Sequence, residues 1–171
     1  MTAPPPPGPP AVVARDLHRT YASGRVRVRA LDGVSAEFES GRWTAIMGPS
    51  GSGKSTLMHC LAGLDRPDRG VVRIGDDEVT RMGEAARTRL RRTRVGFVFQ
   101  SFNLVPVLTV RENILLPGRL AWKRADRARL DGLAEELGIA PLLRRRPHEL
   151  SGGQQQRVAI ARALLPRPRV V

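Results

Sequence analysis

Eight consecutive residues, Gly48, Pro49, Ser50, Gly51, Ser52, Gly53, Lys54 and Ser55, constrain this chain more than any other stretch. They fit the pattern G-x-x-x-x-G-K-[ST] in full. The apolar, β-prone run at residues 43–47 precedes them and reads as a buried strand. Residues 55–64 read as a helix that closes near Gly63 and Pro67. A triphosphate must be held by many donors at once. Glycines let the backbone wrap it with successive N–H groups pointing inward, and a helix start adds its positive dipole end. Lys54 reaches the β and γ oxygens as a mobile point charge, and the Ser55 hydroxyl suits Mg²⁺. The loop by itself implies a nucleoside triphosphate. It does not separate transporters, kinases, GTPases and helicases, and a plain glycine-rich turn is its bland alternative.

The chain has 171 residues, enough for one domain with a sizeable core. Residues 12–14, 26–31 and 34–38 read as strands, with Tyr21-Ala22-Ser23-Gly24 as a turn between the first two. Residues 71–74 read as a strand turned by Gly75-Asp76, and 95–99 as a strand ending at Gln100. Helices are expected over 84–92, 110–116, 124–137 (with Gly138 as C-cap) and 154–165. Residues 169–171 look like the opening of a further buried strand. This order implies an α/β domain with a parallel central sheet over residues 12–171, and a helical subdomain inserted at about 101–150.

Composition narrows the function classes. The formal net charge is +13, and every basic residue except Lys54 and Lys123 is arginine. Such a balance suits nucleic acid, an anionic membrane or phosphate ligands. Arginine-rich codon usage in a GC-rich genome explains it equally simply, because the arginines are spread out and interleaved with acids. Only Arg144, Arg145 and Arg146 form a tight run. The single cysteine, Cys60, lies in an apolar run and reads as a buried core residue in a reducing compartment. His59 reads as a packed or surface histidine, and His18 and His148 lack partners at metal-ligand spacing. No stretch approaches the length needed to span a bilayer. Residues 1–11 read as a disordered or polyproline-II tail without signal-peptide character, with a proline-reading module as a conceivable partner.

Leu150-Ser151-Gly152-Gly153-Gln154 carries a second site. Ser151 with Gln154 three residues on is a capping-box pattern, and two glycines let a ligand approach the backbone. A plain N-cap with a tight turn is the bland alternative. Together with Gln155-Gln156-Arg157-Val158-Ala159-Ile160-Ala161-Arg162, this stretch resembles the ABC ATPase family, whose signature it matches. The resemblance runs from about residue 13 to 171. It includes residues 30–35, 57–64 and 95–104, and is nearest to the macrolide-exporter and lipoprotein-releasing branch.

The resemblance implies an α/β P-loop NTPase of ABC type, with a parallel central sheet, an antiparallel β subdomain and an inserted helical subdomain. It implies an ATPase with ATP and Mg²⁺ as ligands. Tyr21 would stack on adenine, residues Gly48 to Ser55 with Thr56 would hold the phosphates, and Ser55 and Gln100 would hold Mg²⁺. Lys54 and Gln100 would act in hydrolysis. Ser151, Gly152, Gly153 and Gln154 would cap the nucleotide of a second cassette in a head-to-tail homodimer. Transmembrane permease subunits would dock near Gln100 and residues 101–113, placing the chain on the cytoplasmic face of the membrane and favouring export or release. The apolar run 102–108 suits that docking or burial in the subdomain.

Family members continue past this point into a strand ending in an Asp and a catalytic Glu, followed later by a switch histidine. Residue 171 falls before these, so a fragment short of the hydrolytic Glu is expected. The missing strand would leave apolar faces and unpaired backbone beside residues 43–47. A non-hydrolysing nucleotide-binding module is the second reading. A nucleic-acid-associated relative is the third, opposed by the short span between Gln100 and Ser151, which leaves no room for a long coiled coil.

Overall fold

The computed structural model describes residues 9–24, 26–122 and 126–171. Most of the expected proline-rich tail lies outside these residues, as does the start of the helix expected at 124. The chain divides into two units, Met1–Arg87 and Thr88–Val171.

The first unit is built on a four-stranded antiparallel sheet in the order β2-β1-β3-β4. Its strands are β1 (Pro10–Ser23), β2 (Val26–Glu39), β3 (Arg69–Ile74) and β4 (Asp77–Glu78). β1 therefore begins inside the expected tail. It also runs through Tyr21, which pairs with Val28, so Tyr21 lies in a strand and not in the expected turn. Residues 26–31 and 34–38 join into one strand, and Gly33, at φ +71°, sits where the pairing register shifts. Val12, Ala14, Leu17, Val72 and Ile74 form the buried face. Helix α1 (Lys54–Leu61) adds Cys60, and Gly63 at φ +67° closes it three residues earlier than expected.

Residues 43–47 do not form the expected buried strand. Trp43 is 98% and Met47 87% exposed. A parallel strand is held by ladders on its flanks and by cover on both faces, and no described residue supplies a ladder here.

Helix α2 (Glu84–Arg94) follows as expected, with arginines along it and only Leu90 buried. The second unit is helical, with α3 (Val110–Leu120), α4 (Arg127–Glu136) and α5 (Gly152–Leu164). Val110, Ile114, Leu130, Ile139, Leu150 and Val158 make its core. Each large aliphatic side chain there contributes roughly 1.5–3 kcal/mol. All three helix starts are capped by side chains: Thr109 with Glu112, Asp126, and Ser151 with Gln154. Gly138 ends α4 at φ +62°, its N–H donating to Glu135 O and that of Ile139 to Ala134 O. Residues 95–99 form no continuous strand: a single parallel bridge joins Val95 to Val170, and Gly96 N donates to Val170 O at 2.8 Å. This bridge is the only parallel pairing among the described residues.

Candidate functional site

The loop at 48–53 owes its course to three glycines in the positive-φ region: Gly48 at +154°, Gly51 at +80° and Gly53 at +85°. Gly53 is also a close-approach position. A Cβ there would stand 2.3 Å from the backbone oxygen of Ala30 on β2. The loop thus seats against the sheet through an atom that no other residue allows. Ser52 N donates to Pro49 O at 3.3 Å, closing a turn.

Gly53 is the N-cap of α1, and no side chain caps this helix. Its first turn contains no acid, and the N–H groups of Lys54, Ser55 and Thr56 lie too early in the helix to have an intrahelical acceptor. Leu57 N makes the first helical bond, to Gly53 O at 2.8 Å. The Lys54 ammonium turns into the loop and donates to Gly48 O (2.9 Å), Pro49 O (2.6 Å) and Ser52 Oγ (3.3 Å). Backbone donors, a cation and the Ser55 and Thr56 hydroxyls therefore gather at one helix start. That donor set suits a polyphosphate, and Ser55 suits a hard cation bound to it.

Tyr21 belongs to the same unit. Ala30, whose carbonyl meets Gly53, lies two residues along β2 from Val28, the partner of Tyr21. The strand end bearing the aromatic is thereby set beside the loop. The Tyr21 hydroxyl donates to Asp65 Oδ2 at 2.6 Å, a contact that sequence spacing does not announce.

Gln100 and the Ser151–Gln154 segment lie in the second unit. Gln100 is exposed, in a turn after Phe99. Ser151, Gly152 and Gly153 are exposed at the start of α5. Ser151 Oγ accepts from Gln154 N at 3.4 Å, and Ser151 N donates to Gln154 Oε1 at 2.9 Å, the capping box expected from the residue types. Sequence reasoning missed Arg162, further along α5. Its guanidinium donates to Phe102 O and Asn103 O, each at 2.6 Å. Phe102 and Asn103 both have positive φ, +58° and +47°. Burial lowers the pKa of Arg162, and the two backbone carbonyls are the acceptors that hold this cation. The signature helix is in this way fastened to the segment just after Gln100. In the run 102–108, Val107 is 75% exposed, while Leu104 packs on the helical core.

His18 has acidic partners after all. Its Nε2 lies 3.0 Å from Asp16 Oδ1 and its Nδ1 3.3 Å from Asp32 Oδ1. Asp16 lies two residues away on the same strand and Asp32 arrives from β2, a neighbour created by strand pairing. The two carboxylates meet different ring nitrogens, and among the described residues no group of three or more His, Cys, Asp or Glu side chains is placed to hold a metal ion. No helix among the described residues is long and apolar enough to cross a membrane.

Residues 31–171 match the ABC transporter family. The chain belongs to that family. The cassette is 51% identical over 157 residues to an uncharacterised ABC transporter ATP-binding protein of Thermotoga maritima, covering 90% of this chain and 66% of that protein. It is 46% identical to the lipoprotein-releasing system ATP-binding protein LolD of Geobacter metallireducens, covering 91% and 70%. The cassette spans about two thirds of the length of these curated relatives. Its structure superposes on the dimeric post-hydrolysis state of the ATP-binding cassette MJ0796 bound to ADP and Pi with a TM-score of 0.85, at 39% identity, covering 92% of this chain and 70% of that one. The ABC-type α/β fold implied by the motifs is therefore the fold of this cassette, and its likeness to a lipoprotein-releasing protein agrees with the branch that the sequence implied.

Proposed function

We propose that the chain is the ATP-binding part of an ABC transporter subunit that couples ATP binding and hydrolysis to export or release by separate membrane subunits. The observation that carries this reading is the uncapped start of α1, where free backbone donors meet the Lys54 ammonium inside a loop of positive-φ glycines. ATP would lie with its phosphates on Gly48 to Thr56 and its adenine on Tyr21. Lys54, now occupied by loop carbonyls, would transfer its donors to the β and γ oxygens. Mg²⁺ held by the Ser55 hydroxyl would supply charge neutralisation on the phosphates.

The exposed start of α5 would present Ser151, Gly152, Gly153 and Gln154 to the γ-phosphate of a second copy. MJ0796 in its ADP- and Pi-bound state is dimeric, which supports a cassette pair here. Residues 101–113 would meet transmembrane permease subunits, placing the protein on the inner face of the cell membrane. Calorimetric titration with ATP tests the reading. Binding that disappears in Lys54→Ala is the expected result; no binding, or equal binding by the variant, overturns it.

A further inference from the structure

We propose that Arg19, Asp65 and Asp68 form a bracket that holds Tyr21 in the orientation a nucleobase stacks on, which makes them positioning residues for base recognition. This rests on the nucleotide reading above. The Arg19 guanidinium donates from Nε to Asp65 Oδ2 (3.0 Å), from Nη2 to Asp65 Oδ1 (2.9 Å) and from Nη1 to Asp68 Oδ1 (2.9 Å). Asp65 Oδ2 also accepts the Tyr21 hydroxyl at 2.6 Å, and Asp68 Oδ2 accepts Thr20 N at 2.7 Å. One arginine thus satisfies two carboxylates, and each carboxylate reaches back to β1.

The same guanidinium lies over the Tyr21 ring, its carbon 4.7 Å from the centroid. One ring face is taken by this cation–π contact. Tyr21 as a residue is nevertheless 39% exposed, which leaves surface for a base to stack on. The bracket is well built: Arg19 and Asp65 side chains are each only 24% exposed. Burial works against the Asp65 charge, but the Tyr21 hydroxyl, the Arg66 N–H and Arg19 outweigh it and hold its pKa below the usual carboxylate value.

The placement of Asp65 gives the bracket its purpose. Its N–H donates to His59 O at 3.1 Å, so it stands at the tail of α1. The head of α1 is the phosphate loop. Arg19 and Asp65 therefore tie the strand bearing the aromatic to the helix bearing the phosphate donors. A ring fixed before binding loses no rotamer freedom when a base stacks on it. The bracket should strengthen binding of a ligand with a base and leave a bare polyphosphate unaffected.

Titration of wild type, Tyr21→Phe, Asp65→Ala and the double variant with ATP and with inorganic triphosphate tests this, with circular dichroism as the fold check. Each single variant is expected to bind ATP about fivefold more weakly, a fraction of a full stacking contact. Triphosphate affinity should stay within about twofold, and the double variant should be no weaker than Asp65→Ala, because Asp65→Ala already breaks the hydroxyl contact that Tyr21→Phe removes. Unchanged ATP affinity, or triphosphate affinity falling in step, overturns the proposal. Should Asp65→Ala unfold, Tyr21→Phe, which removes a single oxygen, decides by the same ratio. A wild type that binds neither ligand overturns the nucleotide reading and the bracket together. A wild type that binds both and loses both in Lys54→Ala, with Tyr21→Phe unaffected, overturns the bracket alone.

Discussion

Gly53→Ala adds one carbon where the phosphate loop meets the sheet. Two costs follow from the geometry. The first is conformational: at φ +85° an alanine sits in the left-handed region, at roughly 1–2 kcal/mol. The second is steric. The new Cβ would lie 2.3 Å from Ala30 O, whereas carbon and oxygen approach to about 3.3 Å even in weak C–H···O contacts. The helix start or β2 must give by about 1 Å, which overpacking data place at roughly 1–3 kcal/mol. Gly51→Ala separates the two costs. Its φ is +80°, yet nothing lies within 4 Å of its would-be Cβ, so only the conformational cost applies. Urea unfolding followed by circular dichroism should show Gly53→Ala destabilised by about 3 kcal/mol and Gly51→Ala by about 1 kcal/mol, with unchanged m-values. Equal midpoints for the two variants would refute the claim that Gly53 is chosen for close approach.

Burial pushes the Cys60 thiol pKa up from 9.0 to about 11. The folded chain keeps the proton where the unfolded chain releases it, so this stabilisation is complete below about pH 9 and is lost as pH rises to about 11. Unfolding free energy should fall by on the order of 2 kcal/mol across that window and stay flatter in Cys60→Ala. Asn113, fully buried, accepts from Val105 N at 2.7 Å and donates to the carbonyls of Val105, Leu108 and Thr109. Asn113→Leu leaves these backbone groups without that partner and should cost about 2 kcal/mol, read from thermal unfolding; a neutral substitution would mean that the loop finds other partners.

Contiguous residues determined much of this protein. The phosphate loop, the Ser151–Gln154 capping box and the Gly138 helix end each rest on backbone chemistry closed within a few residues, so residue type and spacing sufficed to place them. The ABC family followed from two such local patterns in order. The tertiary structure decided what depends on distant neighbours. Residues 43–47 have a strand's composition, yet a strand exists only with a ladder beside it, and the described residues provide none. Asp32 reaches His18 through the β1–β2 pairing, Asp65 reaches Arg19 and Tyr21 across 46 and 44 positions, and Arg162 reaches Asn103 across 59. A carboxylate or guanidinium far along the chain carries no mark of its partner in its own neighbourhood. The glycine-rich loop around Lys54 was therefore written locally, and the Arg19, Asp65 and Asp68 contacts around Tyr21 came only with the fold.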